Sequence, residues 1–161
     1  MIASARRTPY FPLLGYMERF WLFRVGRAKP DEHDGGVAGE DRRAHRWLGA
    51  RVHHILRSDK GVAFHDHPWN YMTLILKDGY YEVVPVLDPN GTVTDEEWTW
   101  YGPGSVLVRN ARAWHRLELP EGRTAWTLFL MGPSRQTWGF LTRFGKVEWR
   151  VFLWRRENPR V

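Results

Sequence analysis

The stretch FHDHPWNYMTLILKDGYYE, from Phe64 to Glu82, carries the strongest local signals in the chain. It opens on two histidines one residue apart, continues as a largely apolar run and then reaches Asp78-Gly79. The run is typical of a β-strand, and Asp-Gly favours a two-residue hairpin because both turn positions need positive φ. The stretch therefore predicts a strand with two imidazoles at its start, which belong either to a metal site or to a polar loop.

Short strand-like runs separated by turn signals continue through residues 47–161, at a spacing of roughly eight to twelve residues. No long helical pattern separates them, which favours an all-β sandwich or barrel over parallel βαβ winding. The runs are WLGARVHHILRS, YYEVVPVL, EEWTWYG, SVLVRN, AWHRLEL, TAWTLFLMG and VEWRVFLW. Residues 1–46 are predicted to form an N-terminal extension, in which FWLFRV fits a helix or a strand and a polar, glycine-bearing surface loop follows.

The amino-acid composition and the net charge exclude several classes of site and partner. The chain has 161 residues, which suits one domain, and it contains no cysteine, which excludes disulfides, thiolate metal sites and cysteine nucleophiles. The net charge of +6 is carried mainly by scattered arginines, so nucleic-acid binding is not favoured. No apolar stretch approaches the ~20 residues of a membrane span, and the N-terminus lacks an apolar signal-peptide region. We expect a cytoplasmic protein without a membrane partner.

Three histidines form a candidate metal site. In an extended strand, His65 and His67 project to the same side, which suits chelation of a divalent metal. His115 lies on a separate predicted strand, which an antiparallel barrel can bring beside the first two. The alternative for His115 is a hydrogen-bonded core histidine next to Trp114.

A further pair, His53-His54, lies in a run with strand alternation. Neighbours in a strand point to opposite faces, so at most one of the two faces the barrel. His54 shares its face with Val52 and Leu56. We expect one exposed histidine and one buried, hydrogen-bonded histidine.

At this point the sequence resembles the cupins. Gly61, His65-x-His67 and Gly79 resemble the first cupin motif, and the segment from Gly104 to His115 resembles the second. HDHPW, WHRL and GP…WGF also resemble segments of cupin-like proteins from bacteria and phages. The resemblance covers roughly residues 50–132. It implies a double-stranded β-helix, or jelly-roll barrel, with the N-terminal extension preceding it.

Several positions depart from the cupin motifs. The expected glutamate position falls on Tyr71 or Met72, and Asn110, Arg112 and Leu119 replace the proline, glycine and asparagine of the second motif. Glu82 and Glu118 could complete the ligand shell, but neither lies where the motif demands. The pattern therefore resembles the three-histidine cupins, among them thiol dioxygenases and some diketone-cleaving dioxygenases. The cysteine–tyrosine crosslink of thiol dioxygenases is excluded because cysteine is absent.

The resemblance implies that His65, His67 and His115 hold a divalent transition metal. Iron is favoured, and Zn, Mn, Ni, Co and Cu are compatible with three imidazoles. A non-haem iron dioxygenase acting on a small, anionic substrate is the leading hypothesis. A non-catalytic cupin module for binding, sensing or structure is the alternative, and the family implies a homodimer.

Four further residues are predicted to serve the site. Tyr71 is the candidate catalytic residue, because its phenol can donate a hydrogen bond to an anionic substrate, although it could equally be a packing aromatic. Trp69 shares its parity and is predicted to contact substrate. Arg109 and Arg112 are candidates for binding a carboxylate or phosphate, while the alternative for Arg109 is a solvated charge at a strand end.

Overall fold

The computed structural model describes residues 15–24, 48–59 and 63–157. Ten strands and one helix lie within these ranges. They are β1 (Met17–Arg24), β2 (Gly49–Ile55), β3 (Trp69–Asp78), β4 (Tyr80–Leu87), β5 (Val93–Tyr101), β6 (Val106–Arg109), β7 (Arg116–Glu118), β8 (Ala125–Ser134), β9 (Gly139–Thr142), β10 (Gly145–Glu148) and α1 (Trp149–Glu157).

The strands form two main sheets with antiparallel pairing throughout. The larger sheet has the order β1-β2-β8-β3-β6, the smaller has the order β5-β4-β7, and β9 pairs with β10 as a separate hairpin. The prediction of an all-β barrel is confirmed. Among the described residues, no helix is long and apolar enough to cross a bilayer.

The apolar core lies between the two sheets. Its main cluster draws side chains from both of them: Met17, Ile55, Ile75, Tyr80, Leu107, Leu117 and Ala125. Along β3 the buried positions alternate with more exposed ones, as expected of a strand that covers a core with one face. The core thereby joins the two sheets into one barrel.

The connection between β3 and β4 differs from the prediction. Both turn positions do have positive φ, 60° at Asp78 and 154° at Gly79, but the predicted hairpin is wrong. β3 pairs with β6 and β8, whereas β4 pairs with β5 and β7, so the turn takes the chain from one sheet to the other. Glycine is required because a Cβ at residue 79 would lie 2.4 Å from the carbonyl oxygen of Tyr101.

The C-terminal run VEWRVFLW is the second difference. Only its first two residues belong to a strand, β10, and the helix α1 begins at Trp149. Trp149 stacks on Trp138 with ring centroids 5.6 Å apart, and Phe152 stacks on Phe140 at 4.2 Å. Aromatic residues three positions apart thus anchor one side of the helix to β9 and the segment before it.

Part of the predicted N-terminal extension belongs to the larger sheet. β1 pairs with β2 from Met17 opposite Ile55 to Arg24 opposite Gly49, so FWLFRV contributes to a strand and not to a helix. The domain boundary at residues 46 and 47 stays a prediction. Gly61 of the first cupin motif and most of the predicted surface loop lie outside the described residues.

Candidate metal centre

The backbone brings the two histidine segments together. His65 and His115 face each other in an antiparallel bridge, in which each N–H donates to the other's carbonyl at 2.9 and 3.0 Å. The bridge continues into β7, which begins at Arg116, and β3 begins two residues after His67. His65 and His115, 50 positions apart along the chain, are therefore held side by side by ordinary sheet hydrogen bonds.

The three imidazoles converge on one point. One nitrogen from each of His65, His67 and His115 lies within 4.8 Å of the other two. The Nε2 atoms of His67 and His115 are 2.8 Å apart. Two ligand nitrogens about 2.1 Å from one metal ion and at right angles to each other are ~3.0 Å apart. The arrangement fits a shared ion.

Burial keeps the rings of His65 and His67 neutral. It is the main cause that lowers the pKa of His65 to about 4, and the charge of a protonated His115 lowers it further. Burial, followed by His115 and His65, also holds the pKa of His67 well below its usual value. Neutral imidazoles carry the free lone pairs that a metal ligand needs near pH 7.

Glu82 fixes the orientation of His115. Its side chain is fully buried, and Oε1 lies 3.0 Å from Nδ1 of His115, while Arg109 donates to both carboxylate oxygens. Burial alone would raise the pKa of Glu82, but the hydrogen bonds from His115 and Arg109 outweigh it and lower the pKa. An ionised carboxylate only accepts, so Nδ1 carries the hydrogen and Nε2 is the nitrogen of His115 that would bind an ion.

Asp66 anchors the loop between the two leading histidines. Its side chain is 2% exposed. It accepts hydrogen bonds from the Gly139 N–H at 2.7 Å and from Gln136 Nε2 at 2.8 Å, and it forms an ion pair with Lys146. These contacts tie the loop to β9 and β10 and so restrict how His65 and His67 can rotate.

Tyr71 lies inside the barrel beside the imidazoles. Its hydroxyl is 3.3 Å from Nε2 of His115, and its ring centroid is 4.5 Å from that of His67 and 4.9 Å from that of Phe129. Burial first, and then the charge of Glu82, raises the pKa of Tyr71 well above its ordinary value. The phenol therefore keeps its proton and can act as a donor at the site.

The three predicted substrate-binding residues lie in different environments in the structure. Trp69 is buried in the same cluster as Tyr71, although the pairing of β3 with β8 shifts its register between these two residues. Arg109 already pairs with Glu82 and donates to the Tyr101 hydroxyl at 3.0 Å. Arg112 is exposed. The substrate-binding role of each stays a prediction.

Sequence reasoning placed Glu82 outside the motif and so missed its contact with His115. The available signal was a single acidic residue in the apolar run YYEVVPVL, at a position that strand alternation turns inward. Glu118, the other acidic candidate, pairs instead with Arg116 at 3.1 Å.

Comparison with known proteins gives the fold. No protein-family model and no curated protein matches the chain. Solved structures do match: a polyketide cyclase, RemF from Streptomyces resistomycificus, has a TM-score of 0.55 at 14% identity, with 86% of this chain and 82% of that chain covered. A cupin-2 domain, Rru_A2000 from Rhodospirillum rubrum, has a TM-score of 0.50 at 13% identity, with 86% and 71% covered. The chain has the cupin fold.

Among these structures is also the hydroxypropylphosphonic acid epoxidase from S. wedmorenis. It has a TM-score of 0.52 at 13% identity, with 80% of this chain covered, and this chain spans 56% of its length. The cupin resemblance predicted from the two histidine motifs is thereby confirmed for the fold. In this cupin barrel the three predicted ligands lie together.

Proposed function

We propose that the protein is a metal-dependent enzyme of cupin type that acts on a small molecule, with His65, His67 and His115 as the ligands. The observation that carries this proposal is the convergence of three imidazoles, one of which is hydrogen-bonded through Nδ1 to a buried carboxylate. A buried carboxylate behind a ligating histidine is the usual means of orienting the ring and strengthening its basicity.

Within this proposal, dioxygenation with iron is the reaction we favour. Three imidazole ligands would leave an iron ion its full +2 charge, and the bound iron would supply the binding of O₂ and of an anionic substrate. Tyr71 donates its phenolic hydrogen to the substrate, because its raised pKa keeps the proton in place. Trp69 and Phe129 form the apolar wall that excludes water and orients the substrate. Arg109 serves as a positioning residue through Glu82.

Metal analysis of freshly purified protein tests the site. We expect about one metal ion per chain, and His67→Ala and His115→Ala should each reduce the content to a small fraction of that value. His54→Gln is the matched control, since His54 lies on the outer face, paired with Glu18 at 2.9 Å and stacked on Trp126. Metal content that does not depend on His67 or His115 contradicts the site.

Oxygen uptake tests the reaction. The iron-loaded protein is mixed with thiols, diketones and 2-oxo acids in turn, and we expect O₂ consumption with one class that Tyr71→Phe slows by about a hundredfold or more. The same variant should keep its metal. Full iron loading without O₂ uptake for any of the three substrate classes would contradict the dioxygenase assignment but not the metal site.

A binding module is the second candidate, and one feature of the surface favours it. Tyr81, Trp98 and Trp100 form an exposed aromatic patch on β4 and β5, with Tyr81 centred 5.0 Å from Trp100 and 6.0 Å from Trp98. Flat aromatic surfaces are common contact sites for sugars and proteins. Substoichiometric metal that His115→Ala does not change would favour this function over the enzyme.

A further inference from the structure

Three basic side chains are buried together on the larger sheet. Arg19, Arg51 and His53 are 7%, 5% and 8% exposed. Arg19 and His53 are directly opposite each other in the pairing of β1 with β2, and Arg51 is two residues from His53 on the same face. A guanidinium stays charged at every physiological pH, so two fixed positive charges lie in this part of the barrel.

His53 has an unsatisfied nitrogen. Its Nε2 atom is buried and has no hydrogen-bond partner among the described residues. Burial, followed by the charges of Arg51 and Arg19, holds the pKa of His53 well below its usual value, so the ring is neutral. Leaving a buried polar atom without a partner costs free energy, and such atoms in native proteins usually face a ligand or water.

The basic group adjoins the three-histidine site. The ring of His53 stacks on Phe129 at 4.9 Å, and Phe129 in turn is 4.9 Å from the ring of Tyr71 and 6.1 Å from that of His67. One aromatic ring thus separates His53 from a ligand of the proposed metal.

Arg51 packs against two aromatic rings. Its guanidinium lies 3.8 Å from the ring centre of Trp21 and 5.8 Å from that of Trp69. Stacking of this kind holds the guanidinium plane in a fixed orientation and leaves its edge for hydrogen bonding. Both arginines also interact elsewhere in the protein, and five N–H donors allow each of them to bind a ligand anion alongside those contacts.

We propose that Arg51, Arg19 and the Nε2 atom of His53 form the subsite for the anionic group of the substrate, an organic acid bearing a carboxylate or a phosphonate. This inference rests on the proposed function and names its substrate class. The anionic group binds at β1 and β2, and the remainder of the molecule extends past Phe129 toward the imidazoles. Arg109, the residue predicted from the sequence to bind the anion, is already paired with Glu82. The subsite takes over that role.

Calorimetric titration of the metal-loaded full chain tests the subsite. The probes are benzoate, phenylphosphonate and benzamide, which share one ring and differ in charge. We expect at least one anion to bind about tenfold or more tightly than neutral benzamide. Tighter binding of benzoate indicates that one guanidinium binds the planar carboxylate through two parallel hydrogen bonds. Tighter binding of phenylphosphonate indicates that the guanidiniums of both Arg19 and Arg51 bind the phosphonate.

Two substitutions identify the residues. Arg51→Met should weaken anion binding about tenfold or more and leave benzamide within about twofold. His53→Phe retains the stacking on Phe129 and removes Nε2, and we expect a loss of about threefold to tenfold for the anion only. If circular dichroism shows that Arg51→Met does not fold, the anion affinity of His53→Phe alone tests the subsite. Arg123→Met, at an exposed turn, is the control and should change nothing.

The outcomes separate this inference from the proposed function. Titrations repeated on chelator-treated protein should show the same dependence on Arg51 and His53, whereas failure of the metal site appears in the metal content of His67→Ala. Equal affinity for benzamide and the anions overturns the subsite. Anion affinity that Arg51→Met and His53→Phe both leave unchanged also overturns it, because the anion then binds elsewhere.

Discussion

Two neighbouring regions between the sheets differ in the polarity of their buried side chains. Around Ile75 the space is filled by apolar side chains such as Leu107 and Leu117. Two inward positions away along β3, around Tyr71, the same space holds His115 and Glu82. The first region contributes stability through burial of apolar area. The second must satisfy each buried polar group with a hydrogen bond, which holds ligands in place at some cost in stability.

The largest effect should come from removing a ligand at the polar region. We expect His67→Ala to weaken metal binding roughly a thousandfold or more, since even partners behind a ligand are worth about 10–100-fold. Because His67 lies outside the apolar cluster, the free energy of unfolding of the metal-free protein should change by about 1 kcal/mol or less. Competition with a chelator of known affinity measures the first quantity, and urea unfolding measures the second. Similar metal affinity in the variant and the parent contradicts the contrast between the regions.

The converse substitution lies in the apolar region. Ile75 is 1% exposed, and Ile75→Ala should lower the free energy of unfolding by about 2–5 kcal/mol through lost burial and a cavity. Metal affinity, measured at a temperature where the variant is folded, should stay within about threefold of the parent. A large loss of metal affinity would show that the two regions are coupled and not separate.

A smaller effect is expected behind His115. Glu82→Gln removes the charge that sets the tautomer and should weaken metal binding about 10–100-fold, measured by the same chelator competition. Glu118→Gln is the matched control, because Glu118 pairs with Arg116 and makes no contact with the imidazoles among the contacts of the described residues. Equal effects of the two substitutions would mean that Glu82 does not orient the ligand.

The smallest effect should come from the outer surface of the barrel. Glu96 binds Arg116 through two contacts of 2.6 and 2.7 Å, in a position where water screens the pair. Glu96→Gln should lower the free energy of unfolding by about 0.2–1 kcal/mol in urea titration and leave metal content unchanged. A loss comparable to that of Ile75→Ala would contradict the ranking.

Local pattern predicted most of the strands and the pairing of His65 with His67. His65 and His67 share a side because of strand alternation alone, and the family resemblance supplied His115 as their partner. The resemblance also predicted the cupin barrel, which the described strands and the solved structures confirm.

Sequence reasoning failed where tertiary contacts decide. Asp78-Gly79 fulfils its dihedral requirement, but which strands pair afterwards depends on the whole sheet order. The segment from Trp149 forms a helix because its aromatic residues meet Trp138 and Phe140, which no local pattern reveals. For Glu82, strand alternation indicates an inward-facing acidic residue, but it does not reveal the contact with His115, which is 33 residues away.

The central claim is that three imidazoles share one metal ion. Crystals of the purified protein, with anomalous diffraction recorded at the absorption edges of the first-row metals, test it directly. We predict a single anomalous peak about 2.0–2.2 Å from one nitrogen each of His65, His67 and His115. A peak elsewhere, or a His115 ring turned away from the other two in a metal-saturated crystal, would contradict the account.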